Sequence, residues 1–174
     1  MSRCFICYPA ECDGHSPQEI ANRAMPVPAA KTSSIYIIGS MRNPRVPLVA
    51  KALRELGYDV FDDWYSVGPE ADDKWQEYEK ERGRSFAEAL NGYHAEHVFN
   101  LDLHHLDRCD AAVLVAPAGK SAHTELGYMR GSKKPTFYLL DGEPERFDIM
   151  IRFASGGVFT ELEALKARLN EVLP

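Results

Sequence analysis

At 174 residues the chain holds one domain with a tail or long insert rather than two domains, since a domain takes roughly 150 residues. Apolar residues at 45% and charged residues at 26% are ordinary globular usage, which removes the disordered, collagen-like and disulfide-dense classes. With 20 basic against 26 acidic residues the formal charge is -6, so the chain presents no general basic field to a nucleic-acid polymer. No apolar run approaches the roughly 18 to 20 residues that span a bilayer, and Met1-Ser2-Arg3-Cys4 does not open a signal-peptide stretch, so a cytoplasmic protein without a membrane partner is expected.

Residues 1–33 read as an N-terminal extension and linker, and residues 34–174 as the one folded domain. Cys4, Cys7, Cys12 and His15 follow the spacing C-x2-C-x4-C-x2-H, while Cys109 stands alone. Two readings stay open: reduced thiols in a leader, which carries the greater weight because the spacing matches no standard finger, or a four-ligand structural zinc site. Residues 16–32 read as a short helix-capable piece and a linker.

Ile35-Tyr36-Ile37-Ile38 is a β-branched and aromatic run ended by Gly39-Ser40, as a buried strand would be. Pro47 to Gly57 has apolar residues at helical spacing and a terminal glycine. Tyr58 to Phe61 restores strand character, and Asp62 to Pro69 breaks it. Asp72–Asn91 and Val98–Asp110 are helix-favouring blocks separated by Asn91-Gly92, together forming a long crossover. Ala111 to Pro117 is almost wholly apolar and suits a central strand covered on both faces. A helix through Glu125 and Met129, a strand over Pro135–Leu140, a short strand at Val158-Phe159 and a last helix to about Leu173 complete the chain. Thr160-Glu161-Leu162-Glu163 reads as a capping box opening that last helix. The alternation predicts an α/β fold, a flavodoxin-like (Rossmann-like) three-layer sandwich with a mainly parallel five-stranded sheet. Its ligands should lie beyond the carboxyl ends of the strands.

Those ends select the candidate residues. Gly39, Ser40 and Arg42 follow the first strand, where amides, a hydroxyl and a guanidinium can meet an anion. Gly119-Lys120-Ser121 is not a P-loop, because Leu114 stands where its first glycine belongs. Glu125 falls in the first turn of a helix, where the dipole favours an ionised carboxylate, and the bland reading is simple helix stabilisation. Asp102 and Asp110 read as solvated charges bracketing a helix. Trp64, Tyr65 and Trp75 suit either ring stacking or loop anchoring.

Four motifs in order resemble the nucleoside 2-deoxyribosyltransferase superfamily, which includes the 2'-deoxynucleoside 5'-phosphate N-hydrolases. They are Ile35 to Arg42, Asp102 to Val115, Glu125-Leu126-Gly127-Tyr128, and Met150-Ile151-Arg152, within a similarity spanning about Ile35 to Leu173. The resemblance implies that Glu125 attacks the anomeric carbon of a deoxyribosyl group and expels the base. Asp102 would protonate the leaving base and activate the acceptor, and Tyr36 would orient the carboxylate. It also implies that Ser40 and Arg42 bind a 5'-phosphate. A further phosphate-binding serine supplied by a neighbouring subunit aligns with Asp148, whose charge would repel phosphate, and Ser121 is a substitute from the loop before Glu125. The acidic residue that the transferases carry in that loop is absent from Pro117-Ala118-Gly119-Lys120, so base recognition is assigned to Asp62, Asp63, Trp64 and Tyr65.

The expected substrates are a nucleoside or its 5'-monophosphate with a free base or water as acceptor. No cofactor is needed for catalysis, and a homodimer or higher homo-oligomer is implied by resemblance. The cytokinin-activating phosphoribohydrolases are disfavoured, since their P-G-G-x-G-T-x-x-E motif is missing around Glu125. The reading from a different class is a non-catalytic nucleotide-binding or sensor module on the same fold.

Overall fold

The computed structural model describes residues 30–174, so Cys4, Cys7, Cys12 and His15, and with them the zinc reading, lie outside the described residues. Alternation in the first strand, β1 (Ser34–Ile38), sets the layers. Ile35 and Ile37 point to one side and Tyr36 and Ile38 to the other, as the period of two requires. The helix α1 (Arg45–Arg54) starts two residues before the predicted block and ends at the glycine turn of Gly57, whose φ is +94°. The next strand, β2 (Asp59–Phe61), pairs in parallel with β1.

The crossover is more divided than the sequence indicates. A 3-10 turn over Asp63–Val67 is followed by α2 (Ala71–Glu81), α3 (Phe86–Leu90) and α4 (Tyr93–Arg108). The break at Asn91-Gly92 is observed, but α4 begins immediately after it rather than at Val98. Asp102 is therefore interior to a 16-residue helix and is not a helix-end charge. Asp110 lies beyond that helix and its carboxylate accepts from the Ser34 amide and hydroxyl, each at 2.8 Å, which fixes the entrance of β1.

The strand β3 (Ala111–Val115) is buried along its whole length and is the centre of the sheet. After it come α5 (Lys120–Gly131), β4 (Thr136–Leu139), a 3-10 turn over Ile149–Phe153, β5 (Gly157–Phe159) and α6 (Leu162–Val172). Sheet order is β2-β1-β3-β4-β5 and every pairing is parallel, so the expected three-layer α/β fold is present and the sheet is wholly rather than mainly parallel. One core packs α1 and α6 against Ile35, Ile37, Val113 and Phe137, and the other packs α4 and α5 against Tyr36, Ile38, Leu114 and Tyr138.

The capping box predicted at Thr160 does not form. The residue that caps α6 is Glu161, with no side-chain capping bond, and a reciprocal box closes instead at Ser85 and Glu88 on α3. The T-x-x-E pattern fails because the chain is still extended at Glu161, so the first helical residue comes too late for Thr160 to reach an orphan amide. Ser85→Ala should thus cost about 1 kcal/mol, whereas Thr160→Ala should stay within about 0.5 kcal/mol, as read from urea midpoints of the two variants.

Candidate functional site

The α4/α5 face of the sheet brings three predicted residues together. Tyr36 comes up from β1 and is 1% exposed; Asp102 descends from α4 and Glu125 from α5, both partly buried. Burial is the main cause that raises the Tyr36 hydroxyl far above the ordinary phenol range, and the charges of Glu125 and Asp102 add to it. The phenol therefore stays a hydrogen-bond donor, and its interaction with Asp102 opposes the upward shift that burial imposes on that carboxylate. One oxygen of Asp102, Oδ1, is buried without a hydrogen-bond partner among the described residues. An unpaired buried carboxylate oxygen costs free energy unless it is protonated or meets a ligand.

Glu125 departs from the helix-dipole expectation. The helix α5 opens at Lys120 and has no acidic residue in its first turn, which leaves Glu125 in the second turn and out of reach of the orphan amides. Burial, and after it the Asp102 charge, pushes its carboxyl up to about 7. Two carboxyls with raised affinity for protons, each within electrostatic reach of the Tyr36 phenol and one acting on the other, are a pair able to hold one proton between them near neutral pH.

The floor beside this pair is aromatic. Phe61 at the end of β2 lies 5.2 Å from the Tyr36 ring, and His105, one turn beyond Asp102 on α4, stacks on Phe61 at 3.6 Å. His105 was not singled out in the sequence; its only signal there is the three-residue spacing from Asp102, which places both on one helix face. Burial lowers its affinity for a proton, with the neighbouring Arg108 acting the same way and Asp63 opposing.

The other predicted residues divide. In the turn after β1, the Ser40 hydroxyl accepts from the Arg42 amide at 3.2 Å, and the exposed Arg42 guanidinium pairs with Asp73 of α2 at 2.7 Å. Gly39 is there for space: a Cβ on it would stand 2.6 Å from Val46 Cγ2 and 3.6 Å from Trp64. Ser121 is exposed on α5 one turn before Glu125. Asp62 is taken up by an ion pair with Arg54, and the indole of Trp64 donates to the Ile37 carbonyl at 2.9 Å, so both hold the loop. Tyr65 packs on the α1/α6 side, away from Glu125, and only Asp63 among the four base-binding candidates is exposed, with its charge felt at His105. Asp148 accepts from the Met150 amide at 2.8 Å and caps the 3-10 turn there.

Two residues that the sequence reading passed over fix the frame of this site. Asn43, 3% exposed, donates from Nδ2 to the carbonyls of Val115 and Pro117 at 3.1 and 3.2 Å and accepts from the Arg45 amide at 3.0 Å. Arg45 in turn donates to the Ala116 and Leu140 carbonyls and pairs with Asp141. Together they tie the turn carrying Ser40 and Arg42 to the ends of β3 and β4. No group of three or more His, Cys, Asp or Glu side chains suited to a metal ion occurs among the described residues.

Compared with known proteins, the chain matches no protein-family model and no curated sequence.

The raised Glu125 carboxyl has a stability consequence. Its folded form binds a proton more tightly than the unfolded chain, whose ordinary value is 4.5, so its contribution is full below about 4.5 and is lost as pH climbs to about 7. Glu125→Gln should remove that loss: denaturation midpoints at pH 4.5 and 8 should converge, with the variant the more stable at pH 8 by on the order of 1–3 kcal/mol.

Proposed function

We propose that the protein cleaves the N-glycosidic bond of a deoxynucleoside or its 5'-monophosphate through a glycosyl ester on Glu125. The observation that supports this most is the pairing of Glu125 with Asp102 over the Tyr36 hydroxyl, both carboxyls raised in proton affinity. In the first step a Glu125 carboxylate oxygen bonds to the anomeric carbon as the bond from that carbon to the base nitrogen breaks. Its electron pair stays on the base, and the protonated Asp102 supplies the proton. In the second step water or a second base attacks the same carbon, Asp102 takes the proton released, and the ester bond breaks to return the Glu125 carboxylate. The reactive form thus carries one proton on the pair, held by Asp102, and burial raises Asp102 toward that task. Tyr36, held protonated, orients the carboxyls and does not react.

The exposed Arg42 guanidinium, adjacent to the Ser40 hydroxyl, is the group in this reading that meets a 5'-phosphate, exchanging Asp73 for a doubly charged partner. No cofactor enters the scheme. The reading also takes a second copy of the chain as partner, and α4, which carries Asp102, exposes Tyr93 and Leu101 on one flank, about 80° apart around the helix, which a second copy would cover.

Chromatography of base release tests the reaction. Each deoxynucleoside and deoxynucleoside 5'-monophosphate is incubated with and without a free acceptor base. Release without acceptor means hydrolysis, a new nucleoside formed only with acceptor means transfer, and silence across deoxy and ribose forms overturns the proposal in favour of a binding module. Against an active substrate, Glu125→Gln should lower kcat by at least about a thousandfold with the fold intact. The kcat/KM profile should fall through an apparent pKa of about 7, where the pair loses the one proton that the reaction needs. Asp102→Asn should abolish that falling limb in the residual activity, because no shared proton is left to lose; a limb that persists near 7 would exclude the coupling.

Arg42 gives a separate check. Arg42→Ala should raise KM for a 5'-monophosphate about tenfold or more while leaving the free nucleoside within about twofold, and equal effects would mean that Arg42 does not read phosphate.

A further inference from the structure

A cavity of about 850 Å3 lies over the β4–β5 edge of the sheet, walled by α5 and by the connection between those two strands. None of Tyr36, Asp102, Glu125, Ser40 or Arg42 borders it. Helix geometry explains the separation: at 3.6 residues per turn, Glu125 and Arg130 stand about 140° apart around α5. One faces α4 and the other faces the strand connection.

The distribution of arginine marks this cavity. Among the described residues Arg42, Arg45, Arg54, Arg84, Arg108 and Arg168 are each ion-paired, and Arg82 lies over the Tyr78 ring. The other three, Arg130, Arg146 and Arg152, form no ion pair with a carboxylate of the described residues, and all three border the cavity. Two carboxylates border it as well, Glu143 and Asp148, and the second already caps the Met150 amide. In a chain of net charge -6, three guanidiniums left without partners on one concave surface are groups waiting for an anion. Much of the remaining wall is apolar, with Tyr138, Ile151 and Val158 along it and Phe147 at the rim, 81% exposed. The volume falls in the range of small-molecule sites, which combine apolar walls with a few charged groups.

We propose that this cavity is a second binding site, separate from the Glu125 centre, for a planar ring bearing a phosphate. Arg130, Arg146 and Arg152 take the phosphate, since a guanidinium matches phosphate oxygens with paired donors, and Tyr138 and Ile151, on the α5 side of the sheet, line the space for the ring. The proposal does not rest on the glycosidic reaction.

Titration calorimetry of the full chain carrying Glu125→Gln and Arg42→Ala tests it, because that background removes turnover and the phosphate contact of the other site. The probes are adenosine 5'-monophosphate, adenosine and inorganic phosphate. The nucleotide should bind with about one equivalent per chain, and each part alone should bind about tenfold more weakly or worse. Adding Arg146→Ala and Arg152→Ala, both exposed positions, should weaken nucleotide binding about tenfold or more without shifting the thermal midpoint, and Lys at both positions should recover part of the loss. Affinity unchanged by these substitutions overturns the site. So does the absence of nucleotide binding with a Phe147→Glu variant that sediments as a smaller species, since the cavity is then a contact between copies. Failure of Glu125 to support base release would leave the binding result standing.

Discussion

Tyr36 is the point on which the site depends. Its place in β1 is dictated by the alternation that sends Ile35 and Ile37 into the α1/α6 core, so the residue between them faces α4 and α5. A phenol can be buried there at 1% exposure only if its hydroxyl finds an acceptor, and the acceptor is a carboxylate that is itself partly buried. That requirement couples the sheet to α4. The charge of Asp102, in turn, raises Glu125 on α5, so three elements that pack through apolar side chains are also linked through protons. The desolvation that makes this arrangement costly to fold is the same desolvation that brings Glu125 to about 7, where a carboxyl can change protonation state under ordinary conditions.

The frame around the pair is held by backbone carbonyls more than by charge. At the ends of parallel strands, carbonyls run out of ladder partners, and those of Val115, Ala116, Pro117 and Leu140 are met by Asn43 and Arg45 from the start of α1. These bonds fix the turn of Ser40 and Arg42 relative to β3 while leaving Arg42 itself at the surface. Trp64 acts likewise from the other side, its indole on the Ile37 carbonyl and its ring against Gly39. The turn of Ser40 and Arg42 is therefore rigid at its base and exposed at its tip, a combination suited to the phosphate contact proposed for Arg42.

Much of this was legible in the sequence, for physical reasons that differ by element. The strands were legible because buried parallel strands are short apolar runs, and the sheet position of Ala111 to Val115 follows from its lack of alternation. Tyr36, Asp102 and Glu125 were legible as a set only through the order of motifs; singly, each sits in a pattern that a structural residue would share. Local patterns misled where the backbone started a turn late: Thr160 has the right neighbours for a cap but the wrong conformation after it, and Glu125 lies one turn beyond the place where a dipole would hold it ionised. Asp62 and Trp64 read as ligands because loops after strands carry function, and nothing local announces that Arg54 and the Ile37 carbonyl claim them. Asn43 and Arg45 were invisible for the same reason, since their partners are 71 to 96 residues away in the chain.

Charge placement completes the picture. The carboxyls at the Glu125 centre are partly buried and raised in proton affinity, whereas the guanidiniums without ion-pair partners among the described residues cluster on the far flank of α5. One helix thus separates an acidic, proton-holding face from a basic, open one. Its two flanks differ because they meet different layers of chain: α4 supplies a carboxylate and apolar packing on one side, and the β4–β5 connection supplies arginines on the other. Like charges brought to either side would cost several kcal/mol at the effective dielectric of a protein surface. The helix therefore keeps a proton-binding pair of carboxyls and an open group of guanidiniums from meeting in one place.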